Sequence, residues 1–396
     1  MKTIKNISFT GKTVLIRVDF NVPLDESLNI TDDSRIVAAL PTIQKVITDG
    51  GKAIIMSHLG RPKNGFEKRF SLKPIVKSLS RLLNVSVKFS GDCIGLSTVL
   101  DVRGMKNGDV LLLENLRFYS EEKKGDEAFA KELSGLADIY VNDAFGAAHR
   151  AHASTSVIAK YFNEHKYFGA LLNSEVTNLK IALENPKRPF TAIIGGAKIS
   201  GKIDAITSLF DKVDNLIIGG GMAYTFAKAM GGEVGSSLVE EDKVYLAGKL
   251  IGLAKTKRVS LILPLDSINA DSFSNNAKIL KSDITNISDN YIGLDIGERS
   301  VNLFSKVILD SNTIIWNGPM GVFEMESFEN GTKEIGKAIC LATEKGAFSL
   351  IGGGDSVAAI KKFGYENKVS YVSTGGGAML QYLEGKLLPG IVAIEC

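Results

Sequence analysis

The stretch FGALLNSEVTNLKIALENP, Phe168–Pro186, lies near the middle of the chain and divides it into halves of different chemistry. Leu172, Val176, Leu179 and Leu183 recur at helical spacing, Asn173, Glu175, Asn178 and Lys180 fill other faces, and Asn185-Pro186 is a stop signal. At about 1.5 Å per residue such a helix spans on the order of 20 Å, the length of a connector between two domains; an ordinary surface helix within one large fold is the alternative. Composition favours the connector. All four histidines and eight of the eleven arginines precede the stretch, whereas Gly195-Gly196, Gly219-Gly220-Gly221, Gly352-Gly353-Gly354 and Gly375-Gly376-Gly377 lie beyond it. One half is suited to holding anions with side chains, the other with backbone. The expected organisation is a first domain over 1–167, a connecting helix over 168–186 and a second domain over 187–383.

Length agrees, since 396 residues exceed one typical core. With 44% hydrophobic and 23% charged residues the chain is globular, and no apolar run approaches the ~18 residues of a membrane span. Met1–Asp19 alternates apolar and polar residues without a secretory core, so a cytoplasmic protein is expected. Cys93, Cys340 and Cys396 are few and far apart, which excludes a disulfide framework and a Cys-x-x-Cys metal pair. A net charge of +3 gives no global field for nucleic acid, so any anion site is local.

In the first half, Lys12–Phe20 reads as a short buried strand. Arg17, Asp19 and Asn21 alternate along its end, so they share a face, which either opens into a site or carries an Arg17–Asp19 salt bridge on an edge strand. Asp32 and Asp33 are expected to cap a helix with Ile36, Leu40, Ile43 and Ile47 on its core face and a kink or restart at Pro41. Arg35 then sits in the first turn, where the macrodipole disfavours a cation, so an anionic partner is expected elsewhere. Further strands, Ala53–Met56, Val110–Leu113 and Ile139–Val141, run into SHLGRP (57–62), ENLRF (114–118) and NDAFGAAHRAH (142–152). Helical segments at Leu72–Leu83 and Glu127–Ala137 alternate with them, the pattern of an open parallel α/β sheet. In such sheets ligands gather beyond the carboxyl ends of strands, so Arg17, Arg35, His58, Arg61, Arg117 and Arg150 can converge on a small, multiply charged anion.

In the second half, strands over 192–194, 216–218, 313–316, 348–351 and 371–374 end in glycine, and a sixth, 261–263, ends in Pro264. Glycine there lets backbone approach a ligand while the next helix offers free N–H groups to phosphate. GAKISGKI (196–203) nearly spells a Walker A loop but has Ile203 where magnesium binding needs Ser or Thr, so it is not read as one. Lys198 and Lys202 are expected one helical turn apart, both reaching one polyphosphate. Asp355 either holds magnesium or caps a helix.

Together with SHLGRP and ENLRF, the motifs VLIRVDFNVPL (14–24), DAFGAAHRAHAS (143–154), GGAKISGKI (195–203), WNGPMGVFE (316–324), GGGDS (352–356) and STGGGA (373–378) make the chain resemble the phosphoglycerate kinases over nearly its whole length. The departures are Met379-Leu380-Gln381-Tyr382 after the last glycine triad and Ser356 where Thr also occurs. The resemblance implies two Rossmann-like domains with parallel sheets facing a cleft, joined by the connecting helix, with the tail 384–396 packing back on the first domain. It implies reversible phosphoryl transfer from 1,3-bisphosphoglycerate to MgADP, domain closure and Mg2+ with the nucleotide. It implies phosphoglycerate on Asp19, Phe20, Asn21, Arg35, His58, Leu59, Gly60, Arg61, Arg117, His149 and Arg150. It implies nucleotide on Ala197, Lys202, Gly220, Gly221, Gly293, Leu294, Asn317, Pro319, Glu324, Gly353, Gly354, Asp355 and Ser356, with Asp355 on the metal. Arg35, Lys198, Gly376 and Gly377 would meet the migrating group. Small-molecule partners and a monomer are expected; another acyl-phosphate kinase and an RNA-binding protein are the alternatives.

Overall fold

The computed structural model describes residues 2–63 and 65–396. The chain forms two compact units, one of residues 1–177 with 387–396, the other of residues 178–386. Each is organised around a six-stranded parallel sheet.

In the first unit the strands lie side by side in the order Val87–Phe89, Val110–Leu112, Lys52–Met56, Thr13–Arg17, Ile139–Asn142, Lys166–Phe168. Thr13–Arg17 is thus an interior strand, paired in register with Lys52–Met56 and Ile139–Asn142, rather than an edge. Its Val14, Leu15 and Ile16 are fully buried, as a strand covered on both faces requires. The order reverses between Thr13–Arg17 and Ile139–Asn142, which puts a crevice beyond their carboxyl ends. Ser34–Thr48 packs Ile36 and Ile43 into the core, with Leu40 and Ile47 against its margin. The helix runs through Pro41 without the restart, one of the two outcomes expected there. Asp33 occupies the N-cap without a side-chain capping bond, while Asp32 accepts the Ser34 N–H at 2.8 Å.

In the second unit the order is Ser260–Ile262, Asn215–Ile218, Phe190–Ile194, Thr313–Asn317, Phe348–Ile351, Tyr371–Val372, reversing between Phe190–Ile194 and Thr313–Asn317. A three-stranded antiparallel sheet of Asp266–Ala270, Ile279–Asp283 and Ile292–Ile296 is added beside it. Trp316, Ile314, Phe304 and Ile339 form part of the core.

The central helix spans Ala170–Leu183, and the division between units falls within it, between Thr177 and Asn178. Its first turn is fixed by the Thr42 hydroxyl, which accepts the Ala170 N–H at 2.8 Å, and by Asp143, which accepts that of Leu172 at 3.0 Å. Pro389–Glu395 forms a short helix in the first unit: the Gly390 N–H donates to the Ala148 carbonyl at 2.8 Å, and Asn142 Nδ2 donates to the Gly390 carbonyl at 3.2 Å.

Candidate active site

Four strand ends of the first sheet wall a cavity of about 210 Å3 with Asp19, Asn21, Arg35, His58, Gly60, Arg61, Arg117, Gly146, Ala147 and Arg150. Arg35 finds the anionic partner its place in the helix demands, since its guanidinium lies 2.9 Å from Asp19. Burial works against the Asp19 charge, but His58 when protonated, then Arg35 and Arg17, outweigh it and hold the carboxyl below its ordinary range. Arg117 is pushed down to about 10 by burial and then by Arg17 and Arg150. Like charges are therefore crowded here beyond what Asp19 balances, the electrostatic mark of an anion site.

Backbone geometry is set from beneath. Asn115 Oδ1 accepts the N–H groups of Leu59 and Arg117, and its Nδ2 donates to the carbonyls of Leu59 and Phe70. Asn21 Oδ1 accepts the Gly60 N–H at 2.7 Å. Phe20 and Leu59 lie outside the lining with their side chains buried, and the Phe20 N–H donates to Ser57 Oγ at 2.8 Å. His149 lies outside the lining, its Nε2 accepting from Arg150 Nε at 3.0 Å. Arg17 also lies outside it, fully buried below.

The second unit holds a larger cavity, about 520 Å3, walled by Gly196, Ala197, Gly220, Gly221, Gly293, Leu294, Pro319, Glu324 and Asp355 together with Tyr224, Ser236, Leu238, Phe273, Ile292, Met320, Gly321 and Val322. Three loops knit its base through main chain. The Gly196 N–H donates to the Pro319 carbonyl, that of Gly220 to Met320 and that of Met222 to Gly196, all at 2.9–3.1 Å. Such closeness excludes side chains. At Gly220, where φ is +68°, a Cβ would come within 2.7 Å of the Gly196 carbonyl oxygen and 2.8 Å of that of Pro319. At Gly293 a Cβ would collide with the Tyr224 ring.

Lys202 sits at the reversal point of the sheet. Its ammonium donates to the carbonyls of Gly195 (2.7 Å) and Asn317 (3.0 Å) and to Asn317 Oδ1 (2.8 Å). Burial pushes it down to about 8, partly offset by Asp355. The expectation that Lys198 and Lys202 share a helical turn is corrected: residues 196–202 are bends and turns, and the helix begins at Ile203. Gly196, at φ +102°, and Gly201 disfavour helix there, so Lys198 is exposed while Lys202 folds inward.

Asp355 lies in the first turn of Gly354–Lys362, with Gly353 at the N-cap. Gly376 and Gly377 open the helix Gly376–Leu383, and a Cβ on Gly376 would lie 2.7 Å from Gly353 Cα, so the two glycine loops meet backbone to backbone. Ser356 is fully buried, accepting the Gly318 N–H at 2.6 Å, and Asn317 is engaged with Lys202; neither lines the cavity, nor do Gly353 and Gly354.

The residues missed from sequence are of two kinds. Tyr224, Leu238, Phe273 and Ile292 are apolar wall residues scattered through helix, loop and the added sheet, with no periodicity to mark them. Gly146, Ala147, Met320, Gly321 and Val322 lie inside quoted motifs, beside residues singled out there.

A model of the phosphoglycerate kinase family matches residues 4–386. The phosphoglycerate kinase of Chlorobaculum tepidum is 54% identical, with 100% of this chain and 99% of that protein covered; that of Porphyromonas gingivalis is 52% identical, covering 99% and 100%. Among solved structures, phosphoglycerate kinase from Coxiella burnetii superposes with a TM-score of 0.90 at 43% identity (99% and 98% covered), and that from Pyrococcus horikoshii with 0.87 at 31% (100% and 98%). With the sheet order, the arginine-walled cavity and the glycine-walled cavity already in place, these likenesses along the full length establish that the chain belongs to the phosphoglycerate kinase family.

Proposed function

We propose how this chain divides its family's reaction, the reversible transfer of a phosphoryl group from 1,3-bisphosphoglycerate to MgADP in glycolysis, between its two cavities. Phosphoglycerate occupies the cavity of the first unit, on Asp19, Asn21, Arg35, His58, Gly60, Arg61, Arg117 and Arg150, with the main chain at Phe20 and Leu59 shaping the wall and His149 adding to the basic surroundings. The nucleotide occupies the larger cavity, on Ala197, Gly220, Gly221, Gly293, Leu294 and Pro319, with Glu324 on the ribose. Lys202, Asn317, Gly353, Gly354 and Ser356 frame the phosphates.

The observation that carries this reading is the first cavity, in which four arginines and a histidine surround one ionised aspartate. A terminal phosphate and a carboxyl or acyl phosphate on a three-carbon frame give such a site two anions to satisfy.

Magnesium fits the second cavity. Its lining carries two carboxylates, Glu324 and Asp355, and Mg2+ commonly takes one or two carboxylates with substrate phosphates and water. Asp355 would hold the ion, which when bound neutralises phosphate charge. The acyl phosphate is already activated, so the chain needs no nucleophile or strong base of its own. Arg35 and Lys198, with the N–H groups of Gly376 and Gly377, spread the charge of a metaphosphate-like group in line between donor and acceptor. Because each substrate has its own cavity, transfer requires the units to close together and exclude water. We place this work in a cytoplasmic monomer acting on small molecules; no described helix is long and apolar enough to cross a membrane.

The test is acyl-phosphate formation from MgATP and 3-phosphoglycerate, trapped as a hydroxamate by hydroxylamine, with acetate as the control acceptor. Product with phosphoglycerate alone is expected; product with acetate would reassign the first cavity.

A further inference from the structure

Beneath the first cavity, Arg17 is fully buried at the end of an interior strand. Its Nε donates to Ser154 Oγ at 2.8 Å, Nη1 to the Val18 carbonyl, and Nη2 lies 3.2 Å from His58 Nδ1. Ser154 is held in turn by Glu122, itself fully buried, whose carboxylate accepts the Ser154 hydroxyl at 2.7 Å and its N–H at 3.0 Å. The Glu122 charge is thus relayed to the guanidinium through one hydroxyl.

A guanidinium only donates. His58 Nδ1 must therefore present its lone pair to Arg17, and the ring proton of the neutral imidazole sits on Nε2. That nitrogen is the one facing Asp19 Oδ1, 3.9 Å away, and both residues wall the cavity. We propose that Arg17 is a positioning residue: the buried chain Glu122–Ser154–Arg17 fixes His58 as a neutral ring that offers its Nε2–H, beside Asp19, to phosphoglycerate in the cavity. This rests on the assignment of phosphoglycerate to that cavity. Burial drives the ring toward its neutral form; Asp19 opposes this, while Arg17, Arg117 and Arg35 reinforce it. A neutral ring in the other tautomer would turn a lone pair toward an anionic ligand, replacing attraction by repulsion. Arg17 thus decides the polarity of one wall without touching the substrate.

Long-range 1H–15N correlation of the four histidines, with His58→Gln to assign the signal, reads the tautomer in the intact protein. The expected result near neutral pH is an unprotonated Nδ1 and a protonated Nε2 before any ligand is added, with Nε2 shifting as 3-phosphoglycerate saturates. Arg17→Met should admit the second tautomer and raise KM for 3-phosphoglycerate about tenfold, the scale of one hydrogen bond to a charged group, with KM for MgATP unchanged. A wild-type ring protonated on Nδ1 would overturn the proposal, as would an Arg17→Met protein with unaltered histidine signals and KM. Should Arg17→Met not fold, Ser154→Ala is measured the same way, and the wild-type spectrum decides independently. The expected tautomer with an Nε2 indifferent to saturating 3-phosphoglycerate would overturn instead the assignment of the substrate to this cavity.

Discussion

The cavity of the first unit is walled mainly by long charged side chains, that of the second mainly by main chain and apolar surface. In the first, four guanidinium groups arrive from the first turn of Ser34–Thr48 and from three loops beyond strand ends. In the second, loops approach so closely at Gly196, Gly220 and Pro319 that their own peptide groups form the surface. A compact anion with charge on every side is recognised by fixed positive groups; a larger ligand with a flat, nearly neutral end is recognised by shape. The two walls should therefore fail differently, the first when a side chain is removed and the second when one is added.

The sharpest test is removal. Arg35→Ala should fold normally, by circular dichroism, yet lose about 10³-fold or more in kcat, by analogy with other charge-stabilising arginines in phosphoryl transfer; near-normal turnover in a coupled assay would take Arg35 out of the transition state. Addition comes next. Gly220→Ala places a Cβ against two carbonyl oxygens at positive φ, so it should lower stability by about 1–3 kcal/mol in thermal melts. It should also weaken MgADP in calorimetry, with phosphoglycerate affinity untouched.

Lys202 is an exception to the main-chain character of the second site, and pH exposes it. In the free protein its ammonium loses its proton above about pH 8, far below the ordinary 10.5, whereas bound phosphates favour the charged form and raise that value. Binding then takes up a proton. MgADP affinity should be level below pH 8 and fall by up to about tenfold per pH unit above it, a bend that Lys202→Met removes. At Asn142, away from both linings, the effect is expected on stability alone. Asn142→Ala deletes bonds to the carbonyls of Thr155 and Gly390 and should cost about 1–3 kcal/mol in denaturant unfolding while leaving MgADP affinity unchanged.

How far these walls could be read from sequence depends on what places each residue. Strands such as Ile139–Asn142 and Thr313–Asn317 announce themselves by runs of buried apolar residues, and the loops at their carboxyl ends are automatically at the crevice. That is why Arg117 and Gly220 were legible. The edge strands Val87–Phe89 and Lys166–Phe168 were not, being three residues long with lysines among them. The antiparallel addition was hidden for a related reason, since Ile279 and Leu280 are 43% and 39% exposed and give no buried alternation. Pro41 does not restart its helix because a single lost N–H, where Ile36 and Ile43 already pack the helix into the core, is not enough to end it. The Arg17–Ser154–Glu122 chain could not be anticipated, for Ser154 lies 137 residues from Arg17 and nothing local marks it as a partner. Buried polar groups reveal their partners only once the fold has brought them together.

The return of Leu387–Cys396 to the first unit has a consequence for how the protein is made. A ribosome that has released residues 1–177 has not yet supplied Gly390, whose carbonyl Asn142 binds and whose N–H meets Ala148, next door to the loop that carries Arg150. The unit translated first is thus completed only after the second has been translated, by a segment whose Gly390 lies 248 residues beyond the Asn142 that binds it.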